Sequence, residues 1–241
     1  APFTPDGNGM LAKEIARHGE RICGFALVKW EKDDPSSIAR YKEQGFTGLK
    51  FINPPANYHD RRWYPLYEKA EELRMPGLFH LGIVGRQASL GVYQGPATAE
   101  QARVRTEVSC DMMRPVYLDT LARAFPNWQI IGAHLGNPWY EEAAMACRWN
   151  PNLFFDLSGS TLKYRSAEYL GGLLWWTPFT RYKDPEGRHA WEKIVFGSDV
   201  SYYEIRDVMN DYDQVMRALN LPLAMQEKVF GGTAHKILGL A

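Results

Sequence analysis

The sequence predicts an α/β fold in which parallel strands alternate with helices. Six short apolar runs recur along the 241 residues, and each run is followed by a segment with helical patterning. The runs are apolar throughout, as is typical of parallel strands that are buried on both faces. Both a doubly wound sheet and a TIM barrel contain such strands, and the chain length suits one α/β barrel or a pair of small domains.

The first half of the chain contains three of these runs. The helix after the first run is predicted to begin with Asp34 as its cap and Pro35 in its first turn. The helix after the second run is predicted over residues 63–74. The three runs are RICGFALVKW (21–30), GLKFI (48–52) and MPGLFH (75–80).

The second half continues the same alternation. Thr98 and Gln101 have the spacing of a capping box, and helical patterns continue from there through Arg123. After the fourth run, Asn137 is predicted to cap a helix that has Pro138 in its first turn. The last three runs are WQIIGAH (128–134), LFFDLSG (153–159) and KIVFGSD (193–199).

The composition excludes several classes of partner. Lysine plus arginine equals aspartate plus glutamate at 28 residues each, so the chain has no basic field for nucleic acid or anionic lipid. The apolar runs are too short to span a bilayer, and we expect no signal peptide. Three scattered cysteines without a CxxC pair, Cys23, Cys110 and Cys147, predict a reducing, cytoplasmic location.

Polar side chains follow three of the runs at the point where each predicted strand ends. His80, His134 and Asp199 each stand at the carboxyl end of a separate run. Taken singly, each has a plainer role as a structural histidine or a cap. Together they favour a TIM barrel, where such residues converge on the catalytic face. Two imidazoles and a carboxylate are also ligands typical of a divalent transition metal.

Several motifs occur in one order over nearly the whole chain from Arg21 onward. They are GFTGLKF, YPLYEKAEELRMPGLFHLG, IIGAHLGNPWYEEA, LFFDLSG, IVFGSD and FGGTAHKILGL. As an ordered set they resemble the amidohydrolase-related metal enzymes, in the branch that contains aminocarboxymuconate semialdehyde decarboxylase and related aromatic-acid decarboxylases. The resemblance implies a TIM-type (β/α)8 barrel of the metal-dependent hydrolase kind.

The resemblance also implies roles for individual residues. His80 corresponds to a metal-binding histidine, and His134 to a histidine that handles the proton of a metal-bound water. Asp199 corresponds to an aspartate that binds the metal and relays a proton, while the role of Ser158 stays open. The implied cofactor is a divalent metal, zinc in first place and manganese as the alternative. Arg86 is expected to bind a substrate carboxylate, although a solvated loop arginine explains it equally well.

The sequence departs from the family at its beginning. Members of the family start with a His-x-His or Glu-x-His pair on the first strand, and no such pair is present. Run 21–30 corresponds to the third strand, so residues 1–241 are predicted to form one barrel domain that is N-terminally incomplete, with about six of eight strands. The chain is then a fragment, is completed by another polypeptide, or has lost these strands; we favour the fragment.

The remaining candidates have simpler interpretations. Carboxylation of Lys50 to bridge two metals is not favoured. Trp175, Trp176 and Phe179 form an aromatic cluster that suits either a homodimer interface or the core. Four histidines are interpreted as surface or packing residues: His18, His59, His189 and His235.

Two functions are consistent with these observations. The first is a metal-dependent decarboxylase or hydrolase that acts on a small aromatic or unsaturated carboxylic acid, without nucleic-acid or membrane partners. The second is a catalytically inert barrel remnant with a structural or partner-binding role, which the absence of the first-strand ligand pair favours.

Overall fold

The computed structural model of the chain describes residues 7–84, 107–178 and 187–240. In these residues, six strands form one parallel sheet in the order β1-β2-β3-β4-β5-β6, so neighbours in sequence are neighbours in space. This sequential order is that of a TIM-type fold, here a partial barrel, and differs from a doubly wound sheet, whose strand order reverses. The strands are β1 Phe25–Leu27, β2 Gly48–Phe51, β3 Gly77–Phe79, β4 Ile130–Gly132, β5 Leu153–Asp156 and β6 Ile194–Val195.

Helices follow the strands as the sequence predicts. None of the helices in the described ranges is both long and apolar enough to cross a membrane. A π-helical turn, Lys228–Gly232, joins the last two helices at the glycine pair. The helices are α1 Gly7–His18, α2 Pro35–Glu43, α3 Tyr64–Glu72, α4 Pro115–Ala124, α5 Tyr140–Trp149, α6 Ser160–Tyr164, α7 Ala167–Leu173, α8 Ile205–Ala218, α9 Leu223–Glu227 and α10 Thr233–Leu238.

The two predicted helix caps have different outcomes. Asp34 caps α2 by accepting a hydrogen bond from the Ser37 amide at 2.8 Å, with Pro35 as the first helical residue, as predicted. The prediction that Asn137 caps α5 is wrong. The helix begins at Tyr140, with Trp139 at the cap position and Pro138 before the helix. The Asn137 side-chain amide donates instead to the Ser160 hydroxyl at the start of α6.

Both faces of the sheet are buried, as the apolar runs predict. The larger core lies between the sheet and the helices and contains stacked aromatic rings, with 4.4 Å between the ring centres of Phe51 and Phe79. A smaller cluster occupies the opposite face, where Ile131 of β4 lies beside Phe154 of β5. Ile237 of α10 packs onto this inner cluster. The position of α10 therefore covers part of the barrel interior.

Among the described residues, a side chain and not a strand pairs with the outer edge of β1. Successive residues of a strand point their backbone amide and carbonyl groups to opposite sides. The Val28 amide donates to the Lys50 carbonyl of β2, so the amide and carbonyl of Leu27 point away from β2. The Asn8 side chain of α1 accepts from the Leu27 amide at 2.8 Å and donates to its carbonyl at 2.9 Å. Both backbone groups are thereby satisfied without a neighbouring strand. Whether residues 1–241 form one incomplete barrel domain stays a prediction.

Candidate active site

The three predicted site residues lie together at the carboxyl ends of the strands. His80 directly follows β3, His134 lies in the turn after β4, and Asp199 follows β6. The Nε2 atom of His134 is 3.3 Å from Nδ1 of His80 and 3.9 Å from the Oδ2 atom of Asp199. The three side chains therefore converge on one atom of His134.

Two of these residues have a left-handed backbone that side chains seldom adopt. The φ angles are 61° at His134, 46° at Leu135 and 49° at Asp199. Non-glycine residues persist in this region only where surrounding contacts impose it, and such residues concentrate at functional sites. The His134 backbone is held on both sides. Its carbonyl accepts from the Thr161 hydroxyl at 2.7 Å, and its amide donates to the Asp156 carboxylate at 2.9 Å.

A buried carboxylate and a hydroxyl orient the His134 ring. Ser158 donates its hydroxyl proton to Oδ1 of Asp156, which also accepts from the Ser158 amide at 2.9 Å. The Ser158 oxygen lies 2.8 Å from Nδ1 of His134 and, having donated its own proton, accepts the proton of that nitrogen. From this network we assign the neutral His134 tautomer that carries its proton on Nδ1. The lone pair is then on Nε2.

The same chain of hydrogen bonds sets the tautomer of His80. Because Nε2 of His134 carries a lone pair, Nδ1 of His80 is the donor between the two rings. The lone pair of His80 is then on Nε2, which is buried and has no hydrogen-bond partner among the described residues. Burial, followed by the nearby charge of Lys50, lowers the pKa of His80 to about 3. The ring is therefore neutral at pH 7, as a metal ligand must be.

The glycines of the two HLG motifs allow the two turns to touch. Gly82 ends the first motif with φ 79°, and a Cβ atom there would lie 1.6 Å from the carbonyl oxygen of Asn137, which directly follows the second motif. Gly136 ends the second motif with φ 68°, and its Cβ would lie 2.2 Å from Cγ of Pro115. Both positions combine a left-handed backbone with close packing, so both require glycine.

Lys50 brings a cation close to these groups. It is half-buried at the carboxyl end of β2. Burial lowers the pKa of Lys50 to about 8, against the opposing influence of the carboxylates of Asp156 and Asp199. At neutral pH the amine is therefore still mainly protonated.

The site contains two suitable donors for a divalent cation. They are the buried, unpartnered Nε2 of His80 and the carboxylate of Asp199, whose side chain is 64 % exposed. In chemistry and in placement on one rim, these donors fit zinc or manganese. Within residues 7–84, 107–178 and 187–240, however, no three His, Cys, Asp or Glu side chains form a group that could hold a metal. A cation at this rim would thus need further ligands.

A shallow cavity of about 620 Å³, widely open to solvent, lies beside Asp199. Its volume lies within the range of small-molecule sites. Asp199 thus borders both the histidine pair and a space large enough for a substrate. The other lining residues are Lys163, Ser198, Val200, Ser201 and Glu204.

Several sequence predictions concern other parts of the chain. Arg86, the Thr98–Gln101 capping box and Phe179 lie outside the described residues. Trp176 is buried in the core. The four remaining histidines have surface or packing positions: His59 stacks on Tyr117, His189 accepts from the Trp191 amide, and His18 and His235 are exposed.

Sequence reasoning missed Asp156 and Lys163. Asp156 has the same signal as His80, because it is the polar residue that closes an apolar run at the end of a strand. Lys163 has no comparable signal, since it lies on the short helix α6, whose approach to the cavity depends on packing.

We predict that Ser158→Ala lowers kcat about 10- to 100-fold, the usual effect of removing a group that orients a site histidine. Without the Ser158 oxygen, nothing at Nδ1 holds His134 in the assigned tautomer. Kinetics should be combined with ¹⁵N NMR of the imidazole, where we expect a mixture of tautomers. A variant with wild-type kcat and a single Nδ1-protonated tautomer would show that this hydroxyl has no orienting role.

Comparison with known proteins adds family information to this geometry. The amidohydrolase family model matches residues 2–240 of the chain. A curated relative, 2-keto-4-carboxy-3-hexenedioate hydratase from a Sphingobium species, is 31 % identical over 93 residues. That match covers 33 % of this chain and 27 % of the relative, so it spans about a quarter of the relative's length.

Solved structures with a similar fold include two decarboxylases. One is dihydroxybenzoic acid decarboxylase from Polaromonas sp. JS666, solved with bound manganese and the inhibitor 2-nitroresorcinol. Its TM-score is 0.61 and its sequence identity is 18 %, and the match covers 97 % of this chain and 74 % of that chain. The other is 5-carboxyvanillate decarboxylase from Sphingomonas paucimobilis, with a TM-score of 0.61, 19 % identity and coverage of 97 % and 71 %. At these identities the likeness concerns the fold. Because the family model matches almost the entire sequence and the ordered motifs agree with it, the chain belongs to the amidohydrolase family.

Proposed function

We propose that this protein is a metal-dependent decarboxylase or hydrolase that acts on a small aromatic or unsaturated carboxylic acid. One observation carries the proposal. The Nε2 atom of His134 is within 4 Å of both His80 and Asp199, and His80 presents a buried lone pair at the same rim. This arrangement combines a proton-transfer group with two metal donors beside a cavity.

The relatives support the substrate class. Their names refer to dihydroxybenzoic acid, to 5-carboxyvanillate and to 2-keto-4-carboxy-3-hexenedioate. Each is a small carboxylic acid with an aromatic ring or a double bond. Because loops vary independently of the fold in this class of barrel, the choice among such acids belongs to the proposal.

The side chains of the site have separable roles. His80 and Asp199 would hold the cation, which supplies a Lewis acid that polarises an oxygen of the substrate. His134, held by Ser158, exchanges a proton at Nε2, since imidazole accepts and returns protons under physiological conditions.

The two candidate reactions use these groups differently. In decarboxylation, the bond from the substrate carbon to its carboxylate breaks, CO₂ leaves, and the electron pair stays on the carbon. Nε2 of His134, which carries a lone pair in the resting site, first takes up a proton from water and then transfers this proton to the carbon in place of the carboxylate. In hydrolysis, a water oxygen attacks the substrate carbonyl, and Asp199 accepts the proton that this water loses. The bond from the carbonyl carbon to the leaving group then breaks, and the leaving group takes up this proton from Asp199.

Further features belong to the same proposal. Zinc is the proposed metal and manganese the alternative, and Arg86 is proposed to bind the substrate carboxylate. A homodimer and a cytoplasmic location complete the proposal. The three cysteines, none of which forms a disulfide, support a reducing compartment.

Metal content and turnover of the purified protein test this function together. We expect about one zinc or manganese per chain by elemental mass spectrometry, and release of CO₂ or hydrolysis products from a panel of aromatic and unsaturated carboxylic acids. His80→Ala should lose both the metal and the turnover, whereas the matched control His18→Ala should keep both, since His18 is exposed on α1. A stably folded protein without metal or turnover would instead support the inert remnant.

A further inference from the structure

Lys163 is the cationic side chain that lines the cavity beside Asp199 in the described part of the chain. It lies on α6, which is joined to the second HLG turn by two hydrogen bonds. The Thr161 hydroxyl donates to the His134 carbonyl at 2.7 Å, and the Asn137 amide donates to the Ser160 hydroxyl at 2.6 Å. The helix that carries Lys163 is therefore fixed relative to His134.

The Lys163 side chain is available to a ligand. It is exposed, and none of the ion pairs within residues 7–84, 107–178 and 187–240 involves it. The other charged residues that line the cavity, Asp199 and Glu204, are acidic. An anionic group in this cavity is thus attracted to Lys163 and repelled by the remaining charged wall.

We propose that Lys163 binds a second carboxylate of the substrate, remote from the carbon at which the reaction occurs, so that the preferred substrates are dicarboxylates. This inference rests on the proposed function, because it assigns the first carboxylate to the centre around His134 and Asp199. The hydroxyls of Ser198 and Ser201 line the same cavity and offer additional donors. Lys163 is then a positioning and specificity residue.

The charge of Lys163 should act on binding more than on chemistry. A remote carboxylate keeps its charge throughout the reaction, so its contact with Lys163 is equally strong in the ground state and in the transition state. Loss of such a contact raises KM and leaves kcat unchanged. Because Lys163 is exposed, solvent screens its ion pair with a carboxylate, and we expect loss of that pair to weaken binding about threefold to fivefold.

A matched pair of ligands tests the proposal. Titration calorimetry should compare an aromatic dicarboxylate, isophthalate, with the monocarboxylate benzoate, in the wild type and in Lys163→Ala. We expect Lys163→Ala to bind isophthalate about threefold to fivefold more weakly, with no significant change for benzoate. Lys163→Arg should restore most of the affinity for isophthalate. Glu204→Gln, which removes a repelling charge, should increase it.

Lys42→Ala is the matched control, because Lys42 is an exposed helix lysine on α2, away from this cavity. It should bind both acids as the wild type does. A wild type that binds benzoate as tightly as isophthalate, or a Lys163→Ala variant that loses both acids equally or neither, would overturn the proposal. Binding is measured without turnover, so absence of turnover in the wild type contradicts the proposed function alone.

Discussion

We expect His134→Asn to lower turnover about 10³-fold while the protein stays folded, because the substitution removes the imidazole Nε2 that is proposed to exchange the proton beside His80 and Asp199. Asparagine suits this test. It tolerates the left-handed backbone that position 134 requires, and its side-chain amide can still donate toward Ser158. The loss would thus come from missing proton transfer and not from a strained turn.

The measurement is kcat on the acid identified by the substrate panel, with near-UV circular dichroism to confirm the fold. His235→Asn is the control, since His235 is exposed on α10 and has no role in the proposed site. If His134→Asn retained more than a tenth of wild-type turnover, proton transfer through this imidazole would be excluded.

The second large effect is expected in stability. Gly82→Ala should lower the free energy of unfolding by about 3 kcal/mol or more, since the new methyl group would overlap the Asn137 carbonyl and the backbone has φ 79°. The two HLG turns must separate to make room, so the distance between His80 and His134 should change as well. Urea unfolding measures the first effect.

Gly187→Ala distinguishes the clash from the backbone strain. Gly187 has a similar φ of 71°, but a Cβ atom there would meet none of the described residues within 4 Å. Its substitution should cost only the left-handed conformation, about 1 kcal/mol. If both variants lost the same free energy of unfolding, the contact between the two HLG turns would contribute nothing to stability.

The fold was predictable because its signals are local. Each apolar run contains one strand, and the start of α2 is set by the adjacent Asp34 and Pro35. Strand lengths were less predictable. The run at 21–30 contains a strand of only three residues, Phe25–Leu27. The ends of a strand are set by its hydrogen bonds to the neighbouring strand, and the apolar pattern does not define these.

The candidate site was predictable where a polar side chain closes an apolar run. His80 and His134 follow from this rule, because parallel strands bring their carboxyl ends to one rim. Asp156 obeys the same rule, yet its importance depends on a hydrogen bond to the His134 amide, 22 residues earlier in the sequence. The failed cap at Asn137 has a similar origin, since its partner Ser160 belongs to another helix.

The amide of Asn8 has a consequence for how this protein meets other polypeptides. A strand that approaches the edge of β1 finds the donor and acceptor of Leu27 already engaged, and must break two hydrogen bonds before it can add to the sheet. An added strand must therefore displace the Asn8 side chain before it can pair at Leu27. One carboxamide in the first turn of α1 thus decides whether this position of the sheet can accept a further strand.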